Sequence, residues 1–389
     1  MKYAKRMENF EEGIFMELAK RREALRARGM KVVDLSVGTP NIPPAPHIIE
    51  AMVDAVSNPA NYVYAISDLD ELHDAVAQWY GRRYGVRIDP KTQVVAVIGT
   101  QEGLSNAFMP VIDPGDTIIV PDPCYPAFAT GAQVAGAELF YVPQRPENGY
   151  IIDFADIPES VAKKAKAMIV SYPNNPTTAV APPEFYQKLI EFAKKYDIFV
   201  VHDNAYSELT FDGVRCSSFL AYPGAMEVGI EFNSLSKTYG LAGARIGFAL
   251  GNAEYIKALT KYKSNVDYGL FLPVQRAGIA ALTGPQDCVA HTAAAYGKRR
   301  DLLLDGLRQI GWDIPKPKAT MFVWAPIPAG FESCVQFTFE LMEKTGVIVV
   351  PGTSFGQAGE GHVRMPLVQD EEDILYAIHQ IEKSGILNR

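Results

Sequence analysis

The sequence predicts an α/β fold: a large domain built on a mainly parallel sheet between helices, plus a smaller α+β domain. Three observations predict it. Short apolar runs rich in β-branched residues alternate with helical stretches from about residue 45 onward. Strands that are apolar throughout are typical of a sheet covered by helices on both faces. The alternation weakens after about residue 285, where a long helical stretch and short strands follow.

Periodicity and turn signals place the elements in chain order. An amphipathic helix is expected over residues 7–30, and the Gly- and Pro-containing segment 35–40 interrupts the pattern. In the large domain the strands are expected at 94–98, 117–120, 168–171, 198–201, 229–232 and 246–250, and helices at 71–84, 103–112 and 183–195. The smaller domain is expected to contain a helix at 293–309, strands at 321–325 and 347–350, and a terminal helix.

This pattern divides the chain into three parts. Residues 1–45 form an N-terminal arm and part of the small domain, residues 46–285 form the large domain, and residues 286–389 form the small C-terminal domain. A chain of 389 residues can bury a substantial core without metal or disulfide staples.

Composition narrows the class of protein. With 48% hydrophobic and 21% charged residues, the chain resembles an ordinary soluble globular protein. The net charge is 37 − 45 = −8, which argues against nucleic acid or an anionic membrane as a partner. The four cysteines are far apart without a C-x-x-C motif, which favours a reducing compartment. We find no signal peptide and no bilayer-spanning apolar stretch, so a cytoplasmic location is expected.

Polar residues follow the expected strands of the large domain. Ligands of open parallel sheets bind beyond the carboxyl ends of the strands, so these residues are candidates for a site. They lie at 99–101, 122–125, 174–176, 202–206 and 234–237.

The most informative segment runs from Ser234 to Gly247. Its two hydroxyls, Ser234 and Ser236, together with Arg245 could hold a phosphate group while Lys237 bonds to the rest of the same molecule. A lysine forms a Schiff base with a carbonyl, and pyridoxal phosphate (PLP) is the usual cofactor held in this way. A lone lysine is usually a solvated surface charge, and it is the surrounding segment that favours the cofactor.

Four segments together carry a family resemblance. They read Ser-Tyr-Pro-Asn-Asn-Pro-Thr at 171–177, His-Asp-Asn-Ala-Tyr at 202–206, Glu-Phe-Asn-Ser-Leu-Ser-Lys-Thr-Tyr at 231–239 and Lys-Ser-Asn-Val-Asp-Tyr-Gly at 263–269. Over essentially its whole length the chain resembles the class I/II aminotransferases of PLP fold type I. It is most similar to the branch containing LL-diaminopimelate aminotransferases and bacterial alanine–glutamate aminotransferases. The resemblance implies amino transfer between an amino acid, of LL-diaminopimelate or alanine type with glutamate as partner, and a 2-oxo acid.

The resemblance also implies roles around the cofactor ring. Lys237 would hold the cofactor covalently and, once displaced by substrate, act as general acid and base. Asp203 would pair with the pyridine nitrogen and keep it protonated, although an Asp at a strand end can also be a helix cap. Asn175 and Tyr206 would donate hydrogen bonds to the phenolic oxygen, and Tyr125 would stack on the ring. Taken alone, these three residues also suit a turn and core packing.

Two further sets of roles follow from the same resemblance. The phosphate would be held by Gly99, Thr100, Gln101, Ser234, Ser236 and Arg245, with backbone N–H groups at a helix start pointing at the anion. Tyr64 would reach the phosphate of a neighbouring subunit, which implies a homodimer with shared active sites. Arg364 would bind the substrate α-carboxylate through its guanidinium fork, and Gly38, Tyr125 and Asn175 would also contact substrate. An arginine on a short strand is otherwise usually a surface ion-pair partner.

The chain departs from the family pattern at three places. Ala244 occupies a position where relatives usually carry tryptophan, which changes packing but leaves Arg245 in place. Residues 11–14 lack the Pro-Pro-Tyr of many relatives, so a tyrosine that can touch substrate is missing. The loop 268–273 offers neither a second basic residue nor an asparagine. The first absence makes dedicated aspartate specificity less favoured, and the second weakens the assignment to LL-diaminopimelate.

Other signals are weaker. Residues 352–356 match the G-x-S-x-G nucleophile elbow of hydrolases, but the glycine-rich sequence that follows is turn-like rather than helical. No G-x-G-x-x-G fingerprint follows the first strand, and no histidines have i, i+4 metal-binding spacing, so neither a dinucleotide nor a metal is expected.

Two alternatives to an aminotransferase stay open at this point. A PLP-dependent C–S lyase or decarboxylase on the same fold would use Lys237 and Asp203 equally well. A non-catalytic regulator that senses PLP would carry an added DNA-binding module, and we find no helix-turn-helix pattern before residue 30 of the sequence.

Overall fold

A computed structural model describes residues 2–4, 7, 10 and 14–388 of the chain. Part of the expected helix at 7–30 lies outside the described residues; the structure has a helix, α1, at Ile14–Ala27. Among the described residues, no helix is both long and apolar enough to cross a membrane.

A seven-stranded sheet forms the centre of the large domain. Its strands, with a short strand β1 at Val33–Asp34 preceding them in the chain, are β2 Val94–Val97, β3 Thr117–Asp122, β4 Glu138–Pro143, β5 Ala165–Ser171, β6 Phe199–Asp203, β7 Gly229–Ser234 and β8 Gly247–Gly251. The order across the sheet is β2-β8-β7-β6-β5-β3-β4. The pairs from β7 through to β4 are parallel, and β8 runs antiparallel to both of its neighbours.

Helices cover both faces of this sheet, and two apolar clusters lie between the helices and the strands. Helix propensity alone does not place them; each buries an apolar face. In Pro183–Tyr196, for example, a proline begins the helix and Phe185, Leu189 and Ile190 are buried. The large-domain helices are α2 Pro46–Val56, α3 Asp70–Tyr84, α4 Gly99–Asn106, α5 Ala127–Val134, α6 Glu159–Ala162, α7 Pro183–Tyr196, α8 Ala225–Val228, α9 Leu235–Thr238, α10 Ala253–Lys263 and α11 Leu272–Thr283.

The rest of the chain builds a second, smaller core. Its elements are α12 Asp287–Gln309, β9 Phe322–Pro326, α13 Cys334–Thr345, β10 Val347–Ile348, β11 Val350–Pro351, β12 His362–Pro366 and α14 Glu371–Ser384. Strands β11, β12 and β9 form an antiparallel sheet, and β1 pairs in parallel with β10. Val33 and Leu35 belong to this second core, which supports our proposal that the N-terminal residues are part of the small domain. We propose the same boundaries, near residues 45 and 285, that the sequence predicts.

The structure confirms the predicted fold class and corrects some element bounds. The expected strand at 347–350 is two short strands, β10 and β11. Strand β4 was not predicted, because as an edge strand it mixes exposed and half-buried residues instead of forming a buried apolar run. The helix expected at 103–112 starts earlier, at Gly99, and ends at Asn106.

Candidate active site

The predicted site residues converge on one cavity at the carboxyl edge of the large sheet. The cavity has a volume of about 590 Å³. Helix α4 begins directly after β2, β6 ends at Asp203, and α9 follows β7 without a loop. Of the predicted residues, those that line the cavity are Gly38, Thr100, Gln101, Tyr125, Asn175, Asp203, Tyr206, Ser234, Ser236, Lys237, Arg245 and Arg364.

Two predicted residues do not line this cavity. Gly99 lies immediately behind it: a Cβ atom on Gly99 would come within 2.3 Å of Nη2 of Arg245. Tyr64 lies on the surface, with 83% of its side chain exposed, and its ring packs 6.0 Å from that of Tyr268. An exposed Tyr64 is what a residue reaching a neighbouring subunit requires.

Lys237 projects into the cavity from the short helix α9. Its Nζ donates a hydrogen bond to the carbonyl oxygen of Gly38 at 3.0 Å. The pKa of Lys237 is lowered to about 8, mainly by burial and also by the positive charges of Arg364 and Arg245. The amine can therefore exist in its neutral, nucleophilic form near physiological pH.

Asp203 occupies the last position of β6 and is almost fully buried. Its Oδ1 has no hydrogen-bond partner among the described residues. Burial raises the pKa of Asp203 to about 7; the neighbouring Glu231 carboxylate adds to this effect and His202 opposes it. A buried carboxylate without a partner is costly, so this position is suited to a cationic donor that enters with a ligand.

A buried polar network supports Asp203 from the opposite face of the sheet. Glu231 lies at its centre and accepts hydrogen bonds from Tyr80 at 2.7 Å and Asn204 at 3.0 Å. His202 Nδ1 lies 2.8 Å from the other carboxylate oxygen. Because neighbouring residues of a strand point to opposite faces, His202 joins this network while Asp203 faces the cavity.

Arg364 lies on β12, across the cavity from the large sheet. Its Nη1 donates to Oδ1 of Asn175 at 2.9 Å, and its Nη2 donates to the carbonyl oxygen of Ser36 at 3.1 Å. The guanidinium carbon lies 4.4 Å from the ring of Phe322 and 4.5 Å from the ring of Phe355. Burial lowers the pKa of Arg364 to about 10, so the side chain remains charged at neutral pH. The group is a buried cation, held by two hydrogen bonds and two aromatic rings, that is suited to bind an anion in the cavity.

The opposite end of the cavity is rich in hydrogen-bond donors. Ser234 caps the start of α9, and its Oγ accepts from the backbone N–H of Ser236 at 3.1 Å. Arg245 has a left-handed backbone with φ of 56° and is held by a hydrogen bond from its Nη1 to the carbonyl oxygen of Ala242 at 2.9 Å. Thr100 and Gln101 lie in the first turn of α4, where backbone N–H groups have no helical partner. Together these groups form a cradle for an anion.

The arrangement fits PLP at three points. Asp203 supplies a buried carboxylate whose Oδ1 has no partner in the described part of the chain, which suits a pyridine nitrogen. Lys237 supplies an amine with a lowered pKa for the aldehyde carbon. The contact of Gly99 with Arg245 leaves no room for a side chain behind the anion cradle. Asp203, Lys237 and Arg245 line one cavity and Gly99 lies directly behind it, as a molecule with a phosphate at one end and a ring nitrogen at the other requires.

Sequence reasoning missed three cavity residues that contact Arg364. Ser36 orients Arg364 through its backbone carbonyl, and backbone contacts leave no sequence signal. Phe322 and Phe355 flank the Arg364 guanidinium from β9 and from the segment after β11. Phe355 is part of the G-x-S-x-G match at residues 352–356, but that motif indicates hydrolase chemistry and does not predict a contact with an arginine.

Comparisons with known proteins agree with this geometry. The model of the aminotransferase class I and II family matches residues 30–381. The LL-diaminopimelate aminotransferase of Moorella thermoacetica is 44% identical over 384 residues, covering 98% of each chain. The enzyme of the same name from Gloeobacter violaceus is 42% identical over 99% of each chain.

Solved structures are similar over equally long stretches. Substrate-bound BacF from Bacillus subtilis has a TM-score of 0.95 and 37% identity, covering 98% of each chain. A single mutant of the Thermus thermophilus aspartate aminotransferase has a TM-score of 0.92 and 29% identity, covering 99% of this chain and 100% of that one. The family match and the similar structures confirm the family, the fold and the cofactor that the sequence predicts. The chain belongs to the class I and II aminotransferases and is a pyridoxal-phosphate-dependent aminotransferase.

Proposed function

We propose that the enzyme transfers the amino group between an amino acid of LL-diaminopimelate or alanine type and a 2-oxo acid, with glutamate as the amino partner. The observation that carries this proposal is the convergence of Lys237, Asp203 and Arg364 on one cavity. These three supply an amine, a buried anion and a buried cation, the groups needed to hold a PLP ring and an α-carboxylate side by side.

The large-domain residues would hold the cofactor. Bound PLP supplies an electron-withdrawing ring that delocalises negative charge developing at the substrate Cα. Asp203 would accept a hydrogen bond from the ring nitrogen and hold it in the protonated form. Ser234, Ser236, Arg245 and the first turn of α4 would bind the phosphate.

The ring would be positioned from its sides and its face. Asn175 uses Oδ1 to accept from Arg364, so its amide nitrogen, which has no protein partner among the described residues, can donate to the phenolic oxygen. The Tyr206 hydroxyl would donate to the same oxygen; burial raises the pKa of Tyr206, so the phenol stays protonated as a donor. The ring of Tyr125 would lie against the cofactor face.

Lys237 would move the proton at the substrate Cα. Because its pKa is lowered to about 8, close to the pH of the solution, the amine can both accept the proton from Cα and give one back. The Lys237 side chain is flexible and ends in a single amine. The same amine can therefore transfer the proton in both half-reactions. The hydrogen bond to Gly38 is its resting contact.

Arg364 would bind the α-carboxylate common to all substrates. An amino acid and a 2-oxo acid present the same carboxylate next to the reacting carbon, so one bidentate site serves both. This predicts that donor and acceptor substrates compete for a single site and that the kinetics are ping-pong.

A homodimer would complete the site. Exposed aromatic and aliphatic side chains form an apolar surface around Tyr64 and Tyr268; they include Tyr62, Val63, Ile66, Val266 and Phe271. Such patches on soluble proteins usually mark interaction surfaces. A symmetric contact there would let Tyr64 approach the phosphate cradle of the partner subunit. Size-exclusion chromatography with light scattering should give twice the mass of 42.7 kDa, and Tyr64→Ala should weaken PLP binding.

The proposed substrate class is supported by the relatives of that name, which are 42–45% identical to this chain. We also propose that the enzyme works in the cytoplasm. Its four cysteines are free thiols in the structure, which suits a reducing compartment.

A substrate panel tests the proposed function. The purified PLP-loaded enzyme would be given LL-diaminopimelate, alanine, aspartate or glutamate, and the cofactor absorbance followed before and after addition of a 2-oxo acid. We expect reversible interconversion of the two cofactor forms, with the highest kcat/KM for LL-diaminopimelate and glutamate. Release of ammonia or CO2 without regeneration by a 2-oxo acid would instead indicate a lyase or decarboxylase. Faster turnover of alanine than of LL-diaminopimelate would reassign the substrate.

A further inference from the structure

The segment that follows β11 has a structural role at the edge of the active site. It carries the G-x-S-x-G match, yet it forms two short 3-10 helices, Gly352–Phe355 and Gln357–Gly359, rather than the α-helix of a hydrolase elbow. Its ends are packed against each other. A Cβ on Gly352 would lie 1.9 Å from the carbonyl oxygen of Gly359, and a Cβ on Gly359 would lie 2.1 Å from that of Gly352. The segment is therefore a tight unit within the small domain.

The large domain is hydrogen-bonded to this unit through Asp122, the last residue of β3. The backbone N–H of Ala358 donates to both carboxylate oxygens of Asp122, at 3.2 and 3.3 Å. The backbone N–H of Cys124 donates to the carbonyl oxygen of Phe355 at 2.7 Å. Gly356 has φ of 131°, and a Cβ there would lie 1.9 Å from Oδ1 of Asp122. We call the contact between residues 122–124 and 355–358 the domain junction.

Both sides of the domain junction lead directly to the active site. On the large-domain side, Cys124 is followed by Tyr125, which lines the cavity. On the small-domain side, the ring of Phe355 lies 4.5 Å from the guanidinium carbon of Arg364. The junction thus links the residue proposed to lie on the cofactor ring with the residue proposed to bind the substrate carboxylate.

We propose that Asp122 is a positioning residue for substrate binding: by holding the 355–358 segment it keeps Phe355 on Arg364 and sets the location of Arg364 relative to the cofactor. The inference rests on the proposed role of Arg364. Without the junction, the Arg364 side chain gains water and rotamer freedom, and ordering it again on binding lowers affinity. The effect falls on groups that recognise the carboxylate rather than on those that hold the cofactor.

The first test replaces Asp122 with alanine and measures steady-state kinetics and binding in the PLP-loaded enzyme. We expect KM for both the amino acid and the 2-oxo acid to rise about tenfold, equivalent to about 1.4 kcal/mol. We expect kcat and the Kd for PLP to stay within about twofold of the parent values, since Asp122 contacts neither Lys237 nor the phosphate cradle. Glutarate, which has no amino group to transfer, should bind with a Kd raised by the same factor in an absorbance titration.

Three further variants accompany this test: two controls and one second perturbation of the domain junction. Asp153 caps a 3-10 helix at Ala155 in the same way, with a hydrogen bond of 3.0 Å, but makes no contact in the domain junction. Asp153→Ala should therefore leave KM and the glutarate Kd unchanged. Asp122→Asn keeps an oxygen for the Ala358 N–H and should restore nearly parental KM. Gly356→Ala places a methyl group against Asp122 and should raise KM like Asp122→Ala.

A double variant tests whether Gly356→Ala acts through the contact with the Asp122 carboxylate or through strain elsewhere in the segment. In Asp122→Ala/Gly356→Ala the new methyl group no longer meets a carboxylate oxygen. We expect a KM close to that of the single variants, well below the product of the two effects. If Asp122→Ala does not fold, the test is the comparison of Gly356→Ala, for which we expect a raised KM, with Asp122→Asn, for which we expect a nearly parental KM.

Three results would overturn the inference. They are an unchanged KM and glutarate Kd in Asp122→Ala, an equal change in Asp153→Ala, and a loss confined to kcat or PLP binding. None of these would touch the role of Arg364. That role fails instead if Arg364→Ala binds glutarate as the parent does, so the two failures are distinguishable.

Discussion

Substituting Gly99 with alanine should weaken the binding of PLP far more than it weakens the fold. Gly99 is the first residue of α4 and has φ of 69°, a conformation that L-residues seldom adopt. A methyl group at this position would lie 2.3 Å from Nη2 and 2.7 Å from Cζ of Arg245. Both distances are well inside van der Waals contact, so the guanidinium must move away from the proposed phosphate cradle.

The two effects have different sizes. The left-handed backbone costs a non-glycine residue about 1 kcal/mol, and this lowers stability in the free and the bound enzyme alike. Loss of one hydrogen bond to a charged group removes about 1.5–3 kcal/mol from the bound state only. Since about 1.4 kcal/mol is a factor of ten, the Kd for PLP should rise about 10- to 100-fold.

Gly85 provides a matched control. It directly follows α3 and has φ of 69°, the same value as Gly99, but a Cβ on Gly85 meets no atom of the described residues within 4 Å. Gly85→Ala should lose a similar amount of stability, seen as a fall in Tm of roughly 2 °C, with no change in PLP affinity. Titration of the apo protein with PLP gives Kd, and thermal denaturation of the apo protein gives Tm. Equal Kd values for the two variants would refute the steric argument.

The remaining predictions concern charge and proton transfer. Arg364→Lys should raise KM for every amino acid at least about tenfold with a smaller effect on kcat, because lysine cannot offer a planar fork; equal losses for PLP binding would contradict this. Lys237→Ala should abolish turnover with Tm within a few degrees of the parent, and full activity would remove its role. Since a lysine accepts a proton only when neutral, the rate of the Cα proton step should rise with pH to a midpoint near the Lys237 pKa of about 8, and a flat profile would argue against it. In the apo protein the pKa of Asp203 is raised from 3.8 to about 7, so folding binds a proton in that window and stability should fall as pH rises through it; denaturant unfolding of Asp203→Asn should show a smaller fall.

Much of the fold could be predicted because the central strands are apolar throughout and the helices between them are amphipathic. The strands at β2, β5, β6 and β7 are buried along nearly their whole length, and the predicted ranges fall on them. The edge strand β4 was missed for the opposite reason: its pattern is set by half-buried positions that lack a clear periodicity. The early start of α4 was missed because Gly99 and Thr100 are weak helix formers, and the helix begins there to place N–H groups at the cavity.

The candidate site was predictable where a residue type is dictated by chemistry and lies at a strand end. Lys237 falls into this group. Asp203 was a candidate by its position at a strand end, and its role, like that of Arg364, was implied by the family resemblance. Contacts that depend on tertiary packing gave no such signal. The contact between Asp122 and Ala358 joins positions 236 residues apart in the sequence. Phe322 contacts Arg364 from the neighbouring strand β9, well outside the reach of a local sequence pattern. No local pattern specifies such pairs.

The central claim is that the Nζ of Lys237 carries the cofactor. The most direct measurement is reduction of the PLP-loaded enzyme with borohydride, which makes the covalent link permanent, followed by proteolysis and mass spectrometry. We expect one modified peptide, with the added mass on Lys237, and no such peptide in Lys237→Ala. Modification of another lysine in the parent enzyme, or an unmodified Lys237 in protein that retains full transaminase activity, would contradict it.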